Sequence, residues 1–160
     1  PNVAFGLNNL ASLLYATNRF SEAEPLNRRA LSINDNINDQ NQPNLASLLE
    51  DTNRLSEAEP LYRRALSISE TSYGPNHPTV ARDLNNLAGL LKATNRLSEA
   101  EPLSRRSVEI LVQFQQQTGH KHPHYETVFG LYLSILESLG RDAAATESRL
   151  RSLLEPLNPE

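Results

Sequence analysis

The sequence predicts an all-α protein, an α-solenoid of tandem antiparallel helical hairpins. Three observations carry that prediction. The block SEAEPL recurs at 21–26, 56–61 and 98–103, with TNR ahead of each copy at 17–19, 52–54 and 94–96. On both sides of the block, apolar residues recur at helical spacing. Between the two stripes stand residues of the kind that end one helix and begin another. Self-similarity at a period of roughly 20–50 residues is the mark of stacked repeats.

Prolines set the boundaries. Pro1, Pro43, Pro78 and Pro123 open repeats 1–42, 43–77, 78–122 and 123–160 of a single array over residues 1–160. Repeats 1, 3 and 4 run 18 residues from that proline to the next repeat arginine, and repeat 2 runs 11. Repeat 2 therefore lacks seven residues. Seven is close to two helical turns, so a first helix shortened to Asn44–Asp51 keeps its packing face within about 20°.

The elements follow in order. The first helix of repeat 1 places Leu7, Leu10, Ala11 and Leu14 on one stripe. Repeat 3 repeats it with Leu84, Leu87, Ala88 and Leu91, and repeat 4 with Phe129, Tyr132, Leu133 and Leu136. Asn18, Asn53 and Asn95 then stand where repeat 4 has Gly140. Glycine and asparagine share tolerance of the left-handed conformation, so the slot reads as a helix C-terminus. Ser21, Ser56 and Ser98 lie three residues before Glu24, Glu59 and Glu101, the spacing of a capping box, with Phe20, Leu55 and Leu97 just outside. Pro25, Pro60 and Pro102 would then fall at the fourth helical position. The second helix continues through i,i+4 pairs, Glu24/Arg28, Glu59/Arg63 and Glu101/Arg105. Its apolar face runs through Ala23, Leu26, Ala30, Leu31 and Ile33. In repeat 4 the second helix is expected at Ala143–Glu155. A lone hairpin cannot bury such a stripe, and stacked copies can.

Composition agrees. The hydrophobic share is 38%, lean for a globular domain and suited to a linear core of Ala and Leu. The net charge of −4 gives no field that points to nucleic acid or an anionic membrane. With no cysteine, disulfides, thiolate metal sites and a cysteine nucleophile are all excluded. No apolar run reaches the roughly 20 residues of a membrane helix. No signal peptide is visible, and the expected compartment is the cytoplasm. The chain starts at Pro1 and has no methionine, which reads as a piece of a longer protein.

These residues resemble the tetratricopeptide repeat, in its longer form of about 42 residues found in kinesin light chains and bacterial arrays. The resemblance rests on LNNLA (7–11, 84–88), EAEPL, RRAL (28–31, 63–66) and GPNHP (74–78), and on small residues at Ala11, Ala46, Ala88, Ala23, Ala58, Ala100, Ala30, Ala65 and Ser107. Repeat 4 departs, with Leu133 in a small-residue slot, and looks like a terminal cap. The resemblance implies a non-catalytic scaffold that binds a peptide or partner helix in a groove lined by the first helices. Carried over, that face is Asn8, Asn9, Ser12 and Tyr15 in repeat 1, and Asn44, Ser47, Glu50 and Asp51 in repeat 2. In repeat 3 it is Arg82, Asn85, Asn86, Gly89 and Lys92. In repeat 4 it is Thr127, Gly130, Ser134 and Glu137. Asn9, Asn44 and Asn86 are equivalent, and a row of carboxamides could hold the backbone of an extended peptide. The alternative is that they tie neighbouring repeats together. Arg82 and Lys92 against Glu50, Asp51 and Glu137 make a groove of mixed charge, which does not select an acidic ligand.

Other signals have plainer readings. His120, His122 and His124 could turn imidazoles to one side of a loop and offer a metal site, but His122-Pro123 repeats His77-Pro78 and reads as a repeat boundary. The stretch Asn34–Gln42 lacks the glycine and glutamate of a calcium loop. Arg28-Arg29, Arg63-Arg64 and Arg105-Arg106 are balanced by glutamates on the same helices, a solvated face. No catalytic motif is present and no cofactor is expected. The rival role is a spacer or self-association segment, pairing copies weakly through exposed repeat ends.

Overall fold

The computed structural model describes residues 2–33 and 41–152. The described residues form helices α1 (Asn2–Ala16), α2 (Phe20–Ile33), α3 (Asn41–Asp51), α4 (Leu55–Tyr73), α5 (Pro78–Ala93), α6 (Leu97–Thr118), α7 (Tyr125–Ser138) and α8 (Ala143–Ser152). They contain no strand. The chain divides into two compact units, Pro1–Ser72 and Tyr73–Glu160. In the first, α1 packs on α2, and α3 packs on both. In the second, α5 packs on α6, α7 packs on both, and α8 packs on α7.

Every hairpin turns in the same way. Asn18, Asn53 and Asn95 adopt φ of 58°, 59° and 59°, and Gly140 adopts 67°. Around Asn18, the Arg19 N–H donates to the Leu14 carbonyl at 2.8 Å and the Asn18 N–H to Tyr15 at 2.9 Å. This pair of bonds is the Schellman motif, which satisfies carbonyls that a helix end leaves open. The same two bonds recur at Arg54/Asn53, Arg96/Asn95 and Arg141/Gly140.

The second helices begin earlier than the serines predict. The caps are Arg19, Arg54 and Arg96, whose carbonyls accept from Glu22 and Ala23, Glu57 and Ala58, and Glu99 and Ala100. The residue after the Schellman turn is itself the cap, Arg96 at φ −95° and ψ 56° without a side-chain capping bond, so no serine box forms. Each capping arginine instead ion-pairs with the glutamate three residues on, at 2.7, 2.8 and 2.7 Å. Pro25, Pro60 and Pro102 consequently lie at the sixth helical position, beyond the first turn, where each leaves one carbonyl without an intrahelical donor. All three are exposed, on the side where water can reach. Asp142 is the exception, capping α8 through its carboxylate to the Ala145 N–H at 2.9 Å.

The small-residue slots are where helices come closest. Ala11, Ala23, Ala30, Ala46, Ala58, Ala88, Ala100 and Ser107 are all 0% exposed. In unit 1, Ala11, Leu14, Ala23 and Leu48 form a core cluster flanked by Tyr15, Phe20 and Leu26. Helix α3 begins at Asn41, three residues before the expected start. Pro43 fits there because a first-turn residue needs no N–H bond. At 11 residues against 16 in α5, α3 still buries Leu45, Leu48 and Leu49, the counterparts of Leu87, Leu90 and Leu91. The polar stretch 34–40 and the expected end of α8 at 153–155 lie outside the described residues.

Two expected core positions are exposed, Leu10 on α1 and Ile33, at 43%, on α2. Leu10 is 48% exposed, and Val3 and Leu13 beside it on α1 are 61% and 63% exposed. Their repeat 2 counterparts, where described, are buried, because Leu45 and Leu48 of α3 have the α1–α2 hairpin to pack on. Helix α1 has no hairpin on that side among the described residues of its unit.

Candidate functional site

The first-helix side chains of unit 1 meet in one cluster. Asn44 Nδ2 donates to Asn8 Oδ1 at 3.0 Å, joining α3 to α1. The Tyr15 hydroxyl donates to the Asp51 carboxylate, a second link between the same helices. The Tyr15 ring is placed by Phe20, with centroids 5.4 Å apart. Ser12 Oγ donates to the Asn8 carbonyl within α1 at 2.9 Å. Ser47 Oγ lies 3.0 Å from the Tyr62 hydroxyl, which donates to Glu50 Oε2 at 2.9 Å. The bond to Asp51, burial, and the charges of Asp51 and Glu50 push the Tyr15 phenol up to about 12. Burial above all pushes Tyr62 higher still. Burial, with Asp51 adjacent, lifts Glu50 above the usual carboxyl range.

Between α1, α2 and α3 these residues enclose a pocket of about 170 Å³, lined by Ala11, Ser12, Tyr15, Asn27, Asn44 and Ser47. Asn9, by contrast, lies exposed on α1. The carboxamide row is thus divided, since Asn44 links repeats while Asn9 faces solvent.

Unit 2 carries the positive members of the expected face. Arg82 lies with its guanidinium 3.0–3.1 Å from Asp83 Oδ1, and Asp83 is 1% exposed. Lys92 Nζ donates to Ser134 Oγ at 2.5 Å, joining α5 to α7. Asn85 and Asn86 are half-buried, and Asn85 Oδ1 has no hydrogen-bond partner.

Sequence reasoning missed a row on the second helices. Asn27, Tyr62 and Ser104 are equivalent positions, 3%, 2% and 0% exposed. Asn27 Oδ1 and Ser104 Oγ have no hydrogen-bond partner. A signal was available, because Asn27 falls between Ala23 and Ala30 on the buried stripe, and a polar residue there calls for an explanation.

The histidines act locally. His122 Nδ1 accepts from the His124 N–H at 3.2 Å, as His77 Nδ1 accepts from Thr79 at 3.1 Å. His120 Nδ1 meets the Thr118 carbonyl at 2.7 Å, and the His122 ring stands edge-on to Phe114. Among the described residues no group of three or more His, Asp or Glu could hold a metal ion. Arg28, Arg63 and Arg105 pair with Glu24, Glu59 and Glu101 as the i,i+4 spacing predicts. No described helix is long and apolar enough to cross a membrane.

Tandem hairpins with asparagine turns and alanine contacts define a helical-repeat module, and the chain belongs to the tetratricopeptide repeat family. Sequence models of the tetratricopeptide repeat match residues 7–37 and 40–113. Among solved structures, the fold is similar to BtubC (BKLC) from P. vanneervenii, with a TM-score of 0.80 and 19% identity. That match covers 98% of this chain and 66% of the other, so the chain spans just under two thirds of it. It is also similar to the nearly identical TPR-like repeats of a Podosopora anserina protein assigned as a kinesin light chain, at a TM-score of 0.57 and 16% identity. This second match covers 97% of this chain and 96% of the other. At these identities the likeness is one of fold. No curated protein sequence matches the chain. Tetratricopeptide repeats generally mediate protein–protein interaction and are typically scaffolds without enzymatic activity.

Proposed function

We propose that this chain is a non-catalytic scaffold that holds a peptide or partner helix on the first helices of its repeats. The observation that carries this reading is convergence. Ser12, Tyr15, Asn44 and Ser47 come from two helices and line one open pocket. In unit 1 Asn9 is exposed on α1, and within unit 2 half-buried Asn86 and Lys92 stand on α5, the first helix of its own repeat. A photo-crosslinking residue at Asn9 or Asn86 should trap specific protein partners. The same residue at Arg29 or Arg64, exposed on second helices, should not. Equal trapping from both sets would remove the first-helix assignment.

A second reading has its own observation. Val3, Leu10 and Leu13 leave an apolar strip on α1 exposed. Self-association of two copies through that strip is the role it favours.

A further inference from the structure

We propose that the pocket between α1, α2 and α3 receives a basic side chain, lysine or arginine, of the bound peptide. The proposal rests on the first-helix reading above and adds the chemistry of its occupant.

Size comes first. At about 170 Å³ the pocket is below the roughly 300–1,000 Å³ typical of small-molecule sites, so a single side chain is the fitting guest. Polarity comes next. The hydroxyl hydrogens of the wall are already committed within the protein. Ser12 donates to the Asn8 carbonyl and Tyr15 to Asp51. Because Tyr62 donates to Glu50, Ser47 is the donor to Tyr62. One N–H of Asn44 is held by Asn8. What the hydroxyls retain is acceptor capacity, from the lone pairs of Ser12, Tyr15 and Ser47. At the back, Asn27 Oδ1 is a buried acceptor with no partner. A buried carbonyl oxygen left without a donor carries an uncompensated desolvation cost, which a donor-bearing guest would relieve.

Charge decides between a neutral donor and a cation. Glu50 and Asp51 are the only charged side chains on α1 and α3, and both contact the wall through Tyr62 and Tyr15. The arginines of the neighbouring turns are engaged elsewhere, Arg19 with Glu22 and Arg54 with Glu24 and Glu57. Burial first, and the Asp51 charge beside it, raise the Glu50 carboxyl. An ammonium or guanidinium would meet acceptors at the back of the pocket and two carboxylates behind its wall.

The test uses degenerate octapeptide pools, each with one position fixed as Lys, Arg, Gln, Leu or Glu, read by fluorescence anisotropy on the full chain. The Lys and Arg pools should bind at least about tenfold tighter than the Leu and Glu pools. The preference should vanish in Asp51→Asn, an exposed position that leaves the core intact, and in Asn27→Leu. Binding of the pools with no basic preference would overturn this proposal and leave the first-helix reading standing. Binding of no pool would overturn both. A basic preference that survives both variants would place the cation elsewhere and overturn the pocket assignment.

Discussion

Asn53 sits at φ 59°, where its short amide is tolerated and a β-branched side chain clashes with its own carbonyl. Asn53→Val should destabilise the protein by about 1–2 kcal/mol in urea unfolding, whereas Asn53→Gly should be near neutral. Equal loss from both would mean that the amide, not the backbone angle, matters there. Glu50 makes a pH-dependent contribution. Its carboxyl is raised in the folded chain, so it holds a proton more readily folded than unfolded. Its share of stability is therefore full at low pH and is lost as pH rises through the raised value. Glu50→Gln keeps an uncharged acceptor for Tyr62. The stability of wild type relative to this variant should fall as pH rises from the ordinary carboxyl range upward, and a flat or rising difference would contradict the assignment. The asparagine turn was legible in sequence because Gly140 occupies the same slot, and only one conformation accounts for both residues. The Asn27 pocket was legible only in part, because a polar residue between Ala23 and Ala30 marks the position while its row, Asn, Tyr, Ser, shows no shared residue type. What the row shares is burial, a property of three helices together.

Helices α2, α4 and α6 each open with an arginine–glutamate pair, and among the described residues the ladder crosses repeats through Arg28–Glu57 at 3.3 Å and two further links. Arg54 reaches back to Glu24 at 2.7 Å while holding Glu57, and Arg141 reaches Glu101 at 3.5 Å. These charges are mostly exposed, so the links are worth little singly and weaken as salt rises. Apolar contact carries the element packing, and α8 has the least of it. None of its described residues is buried, and its apolar moiety is mostly alanine. Amide exchange should find α8 opening well before α5 and α6, and protection of α8 equal to that of α6 would mean that something further covers it. Element types and order were legible from the stripes and the turn slots. The starts of the second helices were not, because the serine spacing satisfied a capping rule that the preceding Schellman turn had already made redundant. The early start of α3 was hidden for a related reason. Pro43 marks a first turn, not a first residue.

At the level of the whole chain, the uncovered strip on α1 is the feature with the largest effect on solution behaviour. Burying a leucine is worth about 1.5–3 kcal/mol, and a pairing that covers Leu10 and Leu13 on two copies must exceed an association cost of roughly 4–15 kcal/mol. If the strip pairs two copies as proposed, the expected outcome is a weak dimer, seen as a rise in apparent mass by light scattering toward high micromolar concentration. Leu10→Gln with Leu13→Glu should hold the protein monomeric at the same concentration, and an unchanged rise would place the contact elsewhere. The repeat boundaries and the lean composition made the array legible. The division into two compact units was not legible, because α4 runs through the boundary at Ser72 without a break in its pattern. The near-identity of the three TNR-x-SEAEPL blocks also bears on how the chain reaches its fold. Each block meets similar alanines and makes a similar turn, so local contacts do not tell a growing chain which copy it is completing. A hairpin closed on the wrong copy would leave a repeat looped out, the slipped-register trap to which repeat proteins are prone. The unequal lengths of α1, α3 and α5, and the links Asn8–Asn44, Tyr15–Asp51 and Lys92–Ser134, differ from repeat to repeat. In the folded chain each of these links is available to one pairing of helices only, so they would favour the correct copy over a slipped one.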